Sequence, residues 1–302
     1  MSTQTAVAVA PHRFAFGFYR QVWWNWLIGT AFFFGGIGAG LFVISYLTHY
    51  PLGMLTGYLI VVVGKNTAHL LYLGRPERFW RAAMRPDRSW IARGIWATGL
   101  LAVAGLFCWL PYFMPSWQNP EWLGRSAPAV AIASALFIMF YDGFVMSQSR
   151  GVAFWNSNLL PLVVLMYAVL GGTTLSLTLR ELSGIEGPVT EYLARAEHFL
   201  LVMNFLVLCF YLWRMANWMP AARETALSLL RGTYARPFLG LVVMVGIGAT
   251  LLLSIVHDRV QANWLVILIA ACELTGDFSL LMILLRSGLF GPQTAPTYSP
   301  LR

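Results

Sequence analysis

Eight apolar runs, each about twenty residues long, alternate with short polar segments along the chain. They fall at roughly 23–49, 52–73, 91–114, 126–147, 157–180, 192–216, 237–257 and 263–288. Twenty residues rising ~1.5 Å each cross ~30 Å of hydrocarbon, so every run predicts a transmembrane helix. A helix satisfies its backbone polar groups within one segment. Strand-like alternation is not visible, which argues against a barrel. The expected fold class is an all-α integral membrane protein of about eight transmembrane helices.

Composition agrees. The chain is 58% hydrophobic and 11% charged, with a mean hydropathy of +0.66. Soluble domains carry about 25% charged residues. The three cysteines, Cys108, Cys209 and Cys272, fall inside spans and form no C-x-x-C. They read as small apolar core residues rather than metal or cluster ligands. The first twenty residues do not read as a signal peptide, because Arg13 and Arg20 come late and the following apolar run is long.

The scarce charge is unevenly placed. Six arginines, Arg75, Arg78, Arg81, Arg85, Arg88 and Arg93, crowd the segment between spans two and three. The same face collects Arg13, Arg20, Arg150, Arg214, Arg223, Arg231, Arg236, Arg286 and Arg302, fifteen cations in all. The other face has four, Arg125, Arg180, Arg195 and Arg259. By the positive-inside rule both termini should be cytoplasmic. Topology alone accounts for part of the clustering. The interleaved Phe79, Trp80 and Trp90 also suit a protein-docking surface. A nucleic-acid role finds no support, since membrane spans flank the segment on both sides.

Ionisable groups within spans cost on the order of 2.5–3.5 kcal/mol each, so they mark candidate function. Lys65 and His69 lie in span two, Asp142 follows Tyr141 in span four, and Glu273 and Asp277 lie in span eight. Glu197 and His198 lie nearer the end of span six. Lys65, His69 and Tyr72 share one helical face at i, i+4 and i+7. Asn25 and Thr30 start span one at similar depth, with Trp24 and Trp26 beside them and Asn66 next to Lys65. This grouping predicts a pocket beneath the arginine segment. The alternative is a set of interhelical hydrogen bonds and one Lys–Asp pair. Glu273 and Asp277 are a candidate proton path or, equally, partners for spans five to seven. Of the five histidines only His69 lies in the inner half of a span, which argues against bound haem. The run "GGIGAG", Gly35 to Gly40, predicts a close helix contact.

Four stretches in order, "WNWLIGTAFFFGGIGAGLF", "LGRPERFW", "SWIARGIW" and "YDG" followed by "WNSNLLPLVVL", resemble the membrane subunit of polysulfide-reductase-type complexes, the NrfD/PsrC family. The resemblance covers residues 20–180 by motif and the remainder by hydropathy. It implies two four-helix bundles, placed here at 23–147 and 148–302 after an N-terminal segment 1–22. It implies a quinone pocket (menaquinone or ubiquinone) at the end of the first bundle, and no haem. It further implies a four-cluster iron–sulfur partner that exchanges electrons with a molybdopterin-type catalytic subunit, in a bacterial inner membrane. Tyr141 matches the family's quinone-contacting tyrosine. The positions of the family's quinone-side Asn and His are occupied by Ile28 and Ala31. His69 or Lys65 would then serve the second quinone oxygen, and Asp142 would exchange the proton. Family members place catalysis outside the cell membrane, whereas the charge count here points to the cytoplasmic side.

The resulting expectation is a quinone-reactive membrane anchor lacking the catalytic centre itself. Its catalytic side chains would be Tyr141, Asp142 and His69, and Asn25, Trp24, Thr30, Lys65, Asn66 and Tyr72 would line the ring. The arginine segment (Arg75, Arg78, Trp80, Arg81, Arg85, Arg88, Arg93) would dock the partner. The rival is a secondary transporter or proton-translocating protein using Lys65, Asp142, Glu273 and Asp277. A purely structural anchor is the third reading.

Overall fold

A computed structural model describes residues 18–291. Arg13, His12 and Arg302 lie outside the described residues. Eight helices are long and apolar enough to cross a membrane. They are α1 (Trp26–Leu47), α2 (Pro51–Tyr72), α3 (Trp90–Phe113), α4 (Glu121–Ser147), α5 (Leu160–Leu182), α6 (Pro188–Ala216), α7 (Ala235–Val260) and α8 (Asn263–Ser287). The protein is therefore an all-α, multi-pass membrane protein. Local chemistry starts these helices where they start. Asn25 caps α1 with its side-chain oxygen on the Leu27 N–H at 2.9 Å, and Ser89 caps α3 on Ala92. Prolines occupy the first turn of α2, α5 and α6, where a missing N–H costs nothing.

Both ends of the described chain meet on one face. A two-residue strand β1 (Tyr19–Arg20) pairs antiparallel with β2 (Leu289–Phe290). Val152, in the connection between α4 and α5, bridges to Phe290. Arg20 reaches Thr233 between α6 and α7, and the Tyr72 hydroxyl donates to the Trp23 carbonyl at 3.0 Å. The arginine segment, both ends and two further connections thus share a face. That is the grouping expected from an even number of spans.

This face is plugged by aromatic rings. Trp155 and Phe154 are buried from the α4–α5 connection. The Trp155 indole donates to the Leu284 carbonyl at 2.8 Å, and the Tyr211 hydroxyl donates to the Phe154 carbonyl. Burying Phe154 and Trp155 joins the α4–α5 connection to α6 and α8.

Helix α1 is the axis of the molecule. It packs against α2, α4, α5 and α8. Its glycine run serves several neighbours. At Gly35 the stem of Lys65 comes close, with Cε 3.0 Å from where a Cβ would stand. At Gly40 the approach is backbone to backbone, against Ala168 and Gly172 of α5. The close contact predicted from "GGIGAG" is thus made, and with more than one partner. Cys108 is buried, but Cys209 is exposed on the outer face of α6, a correction to the reading of all three as core.

Two features were not visible in the apolar pattern. Residues Ile60–Lys65 within α2, and Phe238–Ala249 within α7, wind as π-helix. A π turn adds a residue to the helical circuit and shifts the face of everything after it. In α2 that shift ends at Lys65.

Candidate functional site

Lys65 and Asp142 are both buried, about 10 Å and 8 Å along their helices from the arginine face at ~1.5 Å per residue. The Lys–Asp ion pair of the alternative reading is not closed. The Lys65 ammonium lies over the Tyr141 ring, 5.6 Å from its centroid. Neither carboxyl oxygen of Asp142 has a hydrogen-bond partner, although Asp142 is fully buried. An unpaired buried carboxyl is costly, and such groups are rare unless used. The ammonium has cation–π support in place of the carboxylate.

His69 follows one turn after Lys65. Its Nδ1 is 3.1 Å from the Lys65 carbonyl. A carbonyl only accepts, so Nδ1 carries the hydrogen and Nε2 is left as an acceptor. The ring contacts Phe32 at 6.2 Å, and Phe32 meets Trp24 edge-on at 5.8 Å. Trp24 also packs on Trp155 at 5.1 Å. Gln21 pins Trp24 in place through both its backbone groups. A line of rings therefore runs from the aromatic plug to His69.

The neighbouring motif residues build the wall around Tyr141. Gly94 faces the Tyr141 ring so closely that a Cβ there would overlap it. Trp90 stacks on Phe144 at 5.1 Å, and Phe137 packs on Tyr141 at 5.9 Å. Arg93 folds back on the loop, donating to the carbonyls of Pro86 and Asp87 while covering Trp90. Each part of "SWIARG" has a job: Ser89 caps, Trp90 and Arg93 hold the loop, and Gly94 admits Tyr141. Gly143, in "YDG", similarly lets the Pro161 backbone approach.

Other sequence-selected residues are placed differently. Asn25 is exposed and its oxygen is committed to capping α1. Thr30 donates to the Trp26 carbonyl, and Asn66 to the Val62 carbonyl. Tyr72 is tied to Trp23. These four satisfy the helices and do not converge on Tyr141. Trp26 is exposed, whereas Trp24 is the tryptophan that reaches the His69 side. Ile28 and Ala31 are buried and apolar, so α1 offers no polar group at those two positions.

The arginine segment opens with a short 3₁₀ helix, Pro76–Ala83, with no buried residue. Arg85 and Arg88 share Asp87, and Arg78 lies 3.9 Å from Glu77. Arg81 covers Trp80, itself about half exposed. Within residues 71–94 six arginines face two carboxylates, so the surface is strongly positive.

A second polar cluster lies among α5 to α8. Thr174 bridges Glu197 and Glu273, and Ser254 donates to Glu197. Glu273 and Asp277 are buried, each with an unpaired oxygen. Sequence reading picked Glu273 and Asp277 but missed Thr174 and Ser254. A hydroxyl in a span normally back-bonds to its own helix, so the sequence carried no signal. Two cavities indent the described residues, and neither is lined by Tyr141 or Asp142. One of about 350 Å³ opens on the face opposite the arginine segment. The other, about 40 Å³, lies between Phe32, Tyr167 and Asp277.

Eight membrane-spanning helices thus hold buried Lys65, Tyr141 and Asp142, with half-buried His69 one turn from Lys65, beneath a cationic surface. The chain matches the family model described as polysulphide reductase, NrfD, over residues 16–291 and belongs to that family. Its members are membrane subunits of quinone-reactive oxidoreductase complexes. A search of curated proteins finds no match to the chain.

Proposed function

We propose that this chain is the quinone-reactive membrane anchor of a respiratory oxidoreductase, exchanging electrons with an iron–sulfur subunit docked on the arginine face. The observation that carries this reading is the pairing of Tyr141 with an unpartnered, fully buried Asp142 directly below that face. The donor set suits a quinone head group. A bound quinone would supply two-electron, two-proton chemistry. Tyr141 donates one hydrogen bond, Nε2 of His69 accepts one, Asp142 holds or releases a proton, and Lys65 places its Nζ nearby as a further hydrogen-bond donor. Access requires the wall of Trp90, Phe137 and Phe144 to open, because Tyr141 and Asp142 are closed off. Electrons come from a partner. Cys108, Cys209 and Cys272 sit on α3, α6 and α8 and are not grouped as cluster ligands. Residues 23–147 form the redox bundle in this reading, and 148–302 the second bundle. Quinol turnover by the assembled complex, compared between parent, Tyr141→Phe and Asp142→Asn, tests the assignment, and parent-rate turnover in both variants refutes it.

Docking has its own test. Reversing Arg78 and Arg81 to Glu places like charge where an acidic partner surface would sit. The double variant should insert normally yet lose the iron–sulfur subunit on gentle solubilisation, seen as a missing band after affinity purification. Retention of the whole complex would remove the docking role, and failed insertion would make topology the main work of these charges. Arg93 is unsuited to this test because it holds the loop.

Orientation follows from fifteen cations against four. A reporter enzyme fused after Arg302 is expected to be active on the cytoplasmic side. An external signal would turn the arginine face outward and put the catalytic subunit outside, while leaving the pocket beside that face.

A further inference from the structure

The acidic residues of α5 to α8 are not used by the redox pocket. The large cavity opens where α5 and α7 end and where α6 and α8 begin. Its wall includes Glu181, Glu191, Glu197, His198, His257 and Asp258. His257 and Glu181 pair across it at 2.8 Å. Such a vestibule concentrates cations from the adjoining water. Glu197 forms its floor, about 14 Å along α6 from Pro188 at ~1.5 Å per residue.

Below that floor the hydrogen count is informative. The Thr174 hydroxyl is 2.7 Å from Glu197 Oε1 and 2.5 Å from Glu273 Oε2. It has one hydrogen and two carboxyl neighbours. One contact is Thr174 donating, and the other needs a hydrogen held by a carboxylic acid. An acid, a hydroxyl and a carboxylate in line form a proton-passing unit. If Glu197 is the acid, it gives its proton to Thr174 Oγ1 as the hydroxyl's own proton moves to Glu273. Glu197 is then the carboxylate and Glu273 the acid, with no net change at Thr174.

The line continues inward. Asp277 is one helical turn beyond Glu273, on the same face of α8. Glu273 Oε1 and Asp277 Oδ2 are both buried without a partner, as is the Tyr167 hydroxyl. Asp277 and Tyr167 line the small cavity, whose ~40 Å³ has room for water. Phe32 forms part of its wall, and the Phe32 and His69 ring centroids are 6.2 Å apart. Among the described residues no three His, Cys, Asp or Glu side chains are placed to hold a metal ion.

We propose that Glu197, Thr174, Glu273 and Asp277 form a proton inlet, filled from the acidic vestibule on the face opposite the arginine segment and ending at the small cavity beside Phe32. It stands independently of the quinone reading. Phe32 is the apolar barrier between this inlet and His69. Thr174 is the relay, since among the described residues its hydroxyl joins the two glutamates.

The test uses the purified full-length chain in lipid nanodiscs. Infrared difference spectra after transfer to D₂O follow the carbonyl band of buried carboxylic acids, with Glu273→Gln identifying the Glu273 contribution. The parent should show a Glu273 acid band that exchanges rapidly. Thr174→Val removes the hydroxyl at nearly constant shape and should slow that exchange by on the order of tenfold to hundredfold. Glu197→Gln should slow it comparably, and Thr174→Ser should retain the parent rate. Attaching a bulky maleimide to Gln261→Cys, at the vestibule mouth, in a Cys209→Ser background should slow exchange as well. Parent-like exchange in both Thr174→Val and Glu197→Gln would overturn the inlet, as would the absence of any band assignable to Glu273 or Glu197. Should Thr174→Val fail to fold, Glu197→Gln and the maleimide arm decide alone.

Discussion

Tyr141→Phe is expected to lower quinol turnover of the assembled complex roughly five- to hundredfold. The phenyl ring keeps its packing on Phe137 and Gly94 and loses only the hydroxyl. In a site this closed, an acceptor left unpaired costs about 1–3 kcal/mol, at ~1.4 kcal/mol per tenfold in rate. Asp142→Asn should be more severe, on the order of hundredfold, because it removes a proton-exchanging group rather than an orienting one. Asn keeps the volume and stays neutral, so the variant is not expected to unfold. Complex assembly and dye-linked activity of the catalytic subunit should be unchanged in both. Parent-rate turnover in both would move the site away from α4 and make the Glu273–Asp277 face of α8 the next candidate.

These expectations rest on residues of unequal legibility. The spans could be read directly, since crossing the bilayer fixes both length and composition. Their ends could not. Helix α4 starts at Glu121 rather than near 126, and α6 starts at Pro188 rather than near 192. Polar first turns, such as Glu121 paired with Arg125 at i, i+4, extend a helix into water where hydropathy falls silent. Lys65, His69, Tyr141 and Asp142 were legible because charge in hydrocarbon is expensive. Their mutual geometry was not. An all-apolar run has the same pattern whether wound at 3.6 residues per turn or as π-helix, so the shift over Ile60–Lys65 left no trace. Asn25 misled for a related reason, since a polar residue at a span's start serves a cap as readily as a pocket.

Helix contact supplies the second large effect. Gly172→Ala should destabilise the protein by about 1–3 kcal/mol or more, and Gly172→Val should abolish the folded state. A Cβ at Gly172 would overlap the backbone of Gly40 and stand 2.6 Å from the Leu41 nitrogen. A flexible side chain could rotate away, but backbone on both sides leaves only separation of α1 from α5. Because α1 also packs on α2, α4 and α8, that movement would disturb those contacts and the Phe32–His69 contact. Gly99 is the control. It is an exposed α3 glycine with nothing within 4 Å of a new Cβ. There Ala should be neutral or stabilising by up to ~1 kcal/mol, since glycine is the poorer helix former. Thermal unfolding in detergent, followed by loss of the monodisperse size-exclusion peak, should therefore move in opposite directions for the two Gly→Ala changes. A Gly172→Ala protein as stable as the parent would mean that α1 and α5 are not in backbone contact, and the central position assigned to α1 would fall with it.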